Sequence, residues 1–151
     1  MFLPKMTVVV ESRLECVPLA GTMVRAFCHA SGASDLESEQ IEVCIMEAVN
    51  NSVVHAYHSV PGHAIEVVAA LQDGEFRIEV CDQGKPGNPD MLRRSRRHLL
   101  DLNPASLDAM PERGRGLAII ESIMDGMEYV TSGGKNRFSM TKRVACESHK
   151  D

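Results

Sequence analysis

The sequence predicts an α+β sandwich, with strands grouped in hairpins and helices packed on one face of their sheet. Three observations predict it. Two pairs of strand-like runs are joined by short glycine-containing turns, Gln72-Asp73-Gly74-Glu75 and Ser132-Gly133-Gly134-Lys135. Residues around 35–57 place Ile41, Cys44, Ile45, Ala48, Ser52 and Ala56 at the spacing of a helix with one buried face. An apolar stretch after Gly116 reads as another helix. At 151 residues, 44% hydrophobic and 25% charged, the chain suits a single domain, residues 1–151, with a real core.

Taken in order, residues 6–11 read as a strand and residues 19–30 as a helix ending near Gly32. The long helix is expected at about residues 35–57. Ser34-Asp35-Leu36-Glu37 begins it with a capping box, in which Ser34 and Glu37 satisfy free backbone N–H groups. Residues 63–71 and the alternating Phe76, Ile78 and Val80 form the first hairpin around the Asp-Gly turn. Glycines after Pro111 lead into a helix running to about residue 125, and strands at 127–131 and 136–144 close the chain.

Three segments carry polar residues that core packing alone does not demand. Glu47, Asn51 and His55 lie four residues apart, one above another on a single stripe of the long helix. Such a carboxylate and carboxamide either line a site or bond to neighbouring backbone inside a buried helix. Asp82 ends a strand and is followed by Gln83-Gly84-Lys85-Pro86-Gly87, where glycines allow close approach of a ligand. Asp82 could accept hydrogen bonds from an exocyclic amine of a flat heterocycle, although Asp-x-Gly is equally an ordinary turn. Gly114-Arg115-Gly116 at a helix start offers free N–H groups and the positive end of a helix dipole to an anion, or serves simply to turn the chain. Gly133-Gly134-Lys135 is no P-loop, because the upstream glycine is missing and Asn136 follows the lysine.

A net charge of −5 argues against a broad nucleic-acid-binding face. No charge-free stretch approaches membrane-spanning length, and the first five residues lack the long apolar core of a secretion signal, so the chain is expected in the cytoplasm. Cys16, Cys28, Cys44, Cys81 and Cys146 are odd in number and contain no Cys-x-x-Cys pair, as expected for free thiols in a reducing compartment. His55, His58 and His63 lack a standard metal spacing, and Asn50-Asn51-Ser52 is an accidental glycosylation pattern in the middle of a helix.

In order and spacing, the three segments resemble the N, G1 and G2 boxes of the GHKL (HATPase_c) ATPases, the superfamily of gyrase, Hsp90, histidine kinases and MutL. Glu-Ala-Val-Asn-Asn-Ser-Val-Val-His-Ala-Tyr (47–57) together with Gly-Arg-Gly-Leu-Ala-Ile-Ile (114–120) is most similar to the anti-sigma factor serine/threonine-protein kinases of the RsbW and SpoIIAB type. The resemblance spans about residues 43–144. It places the N box at about 43–57, the G1 box at 80–87, an ATP lid at about 85–113 and the G2 box at 112–120. It implies a Bergerat ATP-binding fold, a two-layer sandwich with a mixed, mainly antiparallel sheet.

Residue by residue, the resemblance implies ATP and Mg²⁺ as cofactors. Asn51 would hold Mg²⁺ through the phosphates, and Glu47 would be the catalytic base toward a substrate serine. Asp82 would bind the adenine amino group, and Gly84 would let the base lie against its loop. Arg113, Gly114, Arg115 and Gly116 would surround the nucleotide phosphates, and Leu117 would also belong to the nucleotide-binding site. His55 and Tyr57 match family positions and read as structural. In the lid, Arg93-Arg94-Ser95-Arg96-Arg97-His98 either meets phosphates or an acidic partner, or is a solvated basic helix end. The implied partners are a sigma factor, an anti-anti-sigma factor of the STAS type that is phosphorylated on serine, and a second copy of the chain. Neither nucleic acid nor membrane is implied. Two other readings stand beside this one: a non-catalytic ATP-binding module that shapes a partner surface, and a stand-alone catalytic domain acting on histidine.

Overall fold

A computed structural model describes residues 2–88 and 112–145, with the side chains of Glu112 and Arg113 outside that description. Five strands, β1 (Lys5–Glu11), β2 (Ala64–Gln72), β3 (Glu75–Asp82), β4 (Gly126–Ser132) and β5 (Lys135–Arg143), form one sheet in the order β1-β2-β3-β5-β4. Helices α1 (Val17–Ala30) and α2 (Asp35–Asn51) lie between β1 and β2, and α3 (Glu112–Ile123) lies between β3 and β4. The α+β sandwich is as the sequence predicts. Its sheet is not mixed among the described residues, where all four pairings are antiparallel. Hairpins make β2–β3 and β4–β5 antiparallel, the helical excursion through α1 and α2 returns antiparallel beside β1, and the excursion through α3 places β4 one position beyond β3, so that β5 runs back antiparallel between them.

Alternation sorts the sheet into two faces. Val10 pairs with Ile65, Val67 with Val80, Ala69 with Ile78, and Ile78 with Met140, so these apolar side chains share one face. The helices cover that face, and Ile65, Val67, Phe76, Ile78 and Met140 are buried with Ile41, Ile45 and Val49 of α2. Phe27 of α1 meets the edge of Phe76 at a centroid distance of 6.3 Å, seating that helix on the sheet. The opposite face carries charge, including the pairs Arg77–Glu79 at 3.1 Å and Lys135–Glu66 at 3.7 Å.

Asp73 and Gly74 both adopt positive φ, of 52° and 74°, which matches the right-handed twist of a two-residue hairpin. At the start of α2 the Ser34 hydroxyl accepts the Glu37 N–H at 3.1 Å. Only half of the expected capping box forms: Glu37 contributes its N–H to the cap, while its buried Oε2 finds no partner among the described residues. α2 occupies the middle of the helical layer, in contact with both α1 and α3.

Candidate functional site

Glu47 and Asn51 sit one turn apart near the end of α2, as the four-residue spacing requires. The regular helix then stops at Asn51 and gives way to a π turn, Ser52–Ala56. Tyr57 N–H donates to Ser52 O, five residues back, at 3.1 Å. The sequence expectation of one α-helix carrying a stripe through His55 therefore holds only as far as Asn51. Ser52 still donates its N–H to Ala48 O, so it continues the Ala48 stripe of α2 into the cleft; Ala56 lines the cleft as well, and His55 does not.

That turn also grips the loop after β3. Lys85 N–H donates to Ala56 O at 2.8 Å. Gly84 lies so close to Ala56 that a β-carbon would fall 2.4 Å from the Ala56 carbonyl oxygen. This backbone contact by itself requires glycine at Gly84. Tyr57, buried at the end of the π turn, accepts the Gln83 N–H at 2.7 Å and donates to Ala64 O at 3.0 Å. Its ring stacks on His63 with centroids 4.5 Å apart. Burial raises the pKa of the Tyr57 phenol against the opposing effect of the Gln83 N–H, and the nearby Asp82 charge raises it further.

Asp82 is buried, with three donors converging on its carboxylate. Ser52 Oγ donates to Oδ2 at 2.9 Å, Gly84 N–H to Oδ1 at 3.1 Å, and Asn136 Nδ2 to Oδ1 at 2.7 Å. Strand register explains how they meet: Asp82 is opposite Asn136, and Asn136 is opposite Thr131, in a row across the ends of β3, β5 and β4.

On the other side of the cleft, α3 begins at Glu112, so Gly114 and Gly116 lie within the helix and not in a loop before it. Gly116 permits close helix contact: a β-carbon there would sit 2.6 Å from Glu47 Oε2. Leu117 is buried against the cleft, and Arg115 points to solvent. The Arg113 side chain, the arginine run at 93–97 and nearly all of the expected lid lie outside the described residues.

The resulting cleft is lined by Ala48, Asn51, Ser52 and Ala56 from the α2 end, Val80 and Asp82 from β3, and Lys85, Gly87 and Asn88 from the following loop. Leu117, Tyr129 and Phe138 complete it from α3, β4 and β5. Asn51, Asp82 and Leu117 thus share one cavity, and Glu47 lies beside it against Gly116. Sequence reading missed Ser52 as a partner of Asp82, and it missed Asn136 and Tyr129, whose hydroxyl accepts the Gly87 N–H at 2.8 Å. Ser52 stands four residues after Ala48 on the same helical stripe, but only the packing of that stripe against the end of β3 shows that it meets Asp82. Nothing local marks Asn136 or Tyr129, because strand pairing brings them to the site.

A histidine kinase-like ATPase domain model matches residues 10–142, and the chain belongs to that family. Among curated relatives, the anti-sigma F factor of Oceanobacillus iheyensis is 33% identical over 110 residues, covering 72% of this chain and 71% of that protein. The anti-sigma F factor of Geobacillus stearothermophilus is 26% identical, covering 91% and 90% of the two chains. Serine-protein kinase RsbW of Bacillus mycoides is 27% identical, covering 95% and 87%. Among solved structures, the RsbU and RsbW domains of a Mycobacterium tuberculosis protein superpose with a TM-score of 0.65 at 22% identity, over 93% of this chain and 32% of that longer one. The Pseudomonas aeruginosa SiaB–SiaC complex gives 0.57 at 20% identity, over 91% and 89%. Among the described residues no helix is long and apolar enough to cross a membrane.

Proposed function

We propose that this chain is an ATP-dependent anti-sigma factor and protein serine kinase, which binds a sigma factor and phosphorylates a serine on a STAS-type antagonist. The observation that carries the proposal is the convergence of Asn51, Asp82 and Leu117 on one cleft, with Glu47 at its side close to Gly116. The named anti-sigma and RsbW relatives support the choice of partner and reaction. The cytoplasm is the compartment in which such partners meet, and a second copy of the chain is the expected assembly.

The residues present fit the nucleotide. Asp82 offers acceptor oxygens inside the cleft, matching an exocyclic amino group. The Asn51 carboxamide oxygen is the hard ligand that Mg²⁺ accepts, and few protein ligands are needed because that ion keeps several waters. Arg113, Gly114, Arg115 and Gly116 belong to the first turns of α3, whose N–H groups and dipole favour phosphate oxygens. When bound, Mg²⁺ and ATP supply the phosphoryl group and neutralise its charge. Glu47 takes the proton from the hydroxyl of the substrate serine, which raises the nucleophilicity of that oxygen. Leu117, Val80 and Phe138 exclude water from the base end of the cleft.

Calorimetry with and without Mg²⁺ tests the nucleotide site. Wild type is expected to bind ATP at roughly micromolar Kd, with binding lost in Asn51→Ala and Asp82→Asn. Glu47→Gln then tests the chemistry, since it should keep ATP but lose transfer to the antagonist. Absence of transfer in wild type would leave a nucleotide-binding partner module, and acid-labile phosphate on the product would move the reaction to histidine.

A further inference from the structure

Asn136 uses the whole of its side chain. Its carboxamide nitrogen donates to Asp82 Oδ1 at 2.7 Å and to Gly84 O at 3.0 Å, and its oxygen accepts the Thr131 hydroxyl at 2.9 Å. It is 2% exposed, so none of these bonds is replaced cheaply by water. The network also assigns the orientation of the amide, because a reversed group would set its oxygen against two acceptors, Asp82 Oδ1 and Gly84 O.

The consequence falls on Asp82. A carboxylate has about four lone-pair positions. Gly84 N–H and Asn136 use both positions of Oδ1, and Ser52 uses one of Oδ2. One acceptor position of Oδ2 remains for the cleft. Resting on the nucleotide-binding reading above, we propose that Asn136 is a positioning residue that sets purine selectivity. By holding Oδ1 and Gly84 O together, it aims the single remaining acceptor at the purine 6-position, where an amino group is welcome and a carbonyl oxygen is repelled. Adenine satisfies this polarity, whereas hypoxanthine, with oxygen at the same position, opposes it.

The test compares binding of ATP and inosine triphosphate by calorimetry in wild type, Asn136→Leu and Asn136→Asp, each checked by thermal melting. Wild type should prefer ATP by about tenfold or more, the worth of one hydrogen bond to a charged acceptor. In both variants the ratio should fall toward unity, since Asp82 keeps only the Ser52 and Gly84 bonds and loses the one that ties Oδ1 to the amide held by Gly84 O. Asn136→Asp should lose the most ATP affinity because it faces Asp82 and Gly84 O with acceptors. If an Asn136 variant does not fold, Thr131→Val, at an exposed strand end, carries a milder form of the test: it removes the bond accepted by the amide oxygen while the two donated bonds stay, so the ratio should fall only in part. A ratio unchanged in the variants, with both nucleotides weakened equally, would reduce Asn136 to structural support and overturn the inference. Wild type that binds ATP without preference overturns it as well, leaving the proposed function intact. Wild type that binds neither nucleotide removes both.

Discussion

Gly116→Ala separates the role of Glu47 in chemistry from any role in folding. The added β-carbon would stand 2.6 Å from Glu47 Oε2, about 0.8 Å short of the 3.4 Å at which ordinary contact begins. The next atoms, Glu47 Cδ and Cβ, lie at 3.5 Å and 3.6 Å and need not move. Relief therefore requires only rotation of the end of the Glu47 side chain, at a cost of about 0.5–1.5 kcal/mol for an off-rotamer angle. Replacing a glycine inside α3 returns up to about 1 kcal/mol of helix propensity. The two effects nearly cancel, and for a domain of this size the melting temperature should stay within about 4 °C of wild type. Phosphoryl transfer should not survive so well. A carboxylate displaced by most of an ångström no longer meets the serine hydroxyl in line, and misplacement on that scale costs about 10–100-fold in rate. The assay is transfer of labelled phosphate from ATP to the antagonist protein, beside melting and ATP calorimetry on the same preparations. Transfer at the wild-type rate would refute the assignment of Glu47 as base. A melting temperature lowered by more than about 5 °C would refute the argument that only a side-chain end is in the way.

Gly84→Ala should behave in the opposite manner, because its β-carbon meets the Ala56 backbone at 2.4 Å, and overpacking of this kind costs about 1–3 kcal/mol. Its urea midpoint should drop, and a midpoint equal to wild type would contradict the contact. Tyr57→Phe strands the Gln83 N–H and the Ala64 carbonyl, which costs about 1–3 kcal/mol; faster hydrogen exchange at Gln83 is the local readout, and unchanged exchange would count against the clamp. Burial pushes the Cys28 and Cys44 thiols up to about 12, from an ordinary value of 9.0. Both are neutral in the folded and unfolded states below pH 9. Above it the unfolded state releases protons that the folded state keeps, so stability falls by about 1.4 kcal/mol per pH unit for each thiol until pH nears 12. Denaturation midpoints at pH 8, 9 and 10 measure this, and a Cys28→Ala variant should show a shallower decline.

The local order of the chain was legible from residues alone. Asp-Gly and Gly-Gly announced the two hairpins because only turns with positive φ join twisted strands so tightly, and the Ser34 cap and apolar spacing announced α2. Glu47 and Asn51 declared themselves as neighbours because a helix makes residues four apart adjacent. Asp82 declared itself only as a polar residue at a strand end. Everything decided by pairing between distant segments needed the tertiary structure. The π turn, an insertion in hydrogen-bond register that no residue type demands, ended the regular helix at Asn51 and brought the Ala56 carbonyl to the loop after β3, where it accepts the Lys85 N–H. The glycines are readable in sequence as points of close approach, but only the structure shows that Gly84 meets the Ala56 backbone and Gly116 the Glu47 carboxylate. The Asp82–Asn136–Thr131 row exists because β3, β5 and β4 pair in one particular register, and a shift of one residue would turn Asn136 to the other face. Sequence determined which segments could carry chemistry, since helix, strand and turn preferences act over a few residues. Packing decided which of their side chains face one another, because contacts between residues dozens of positions apart depend on how the layers close.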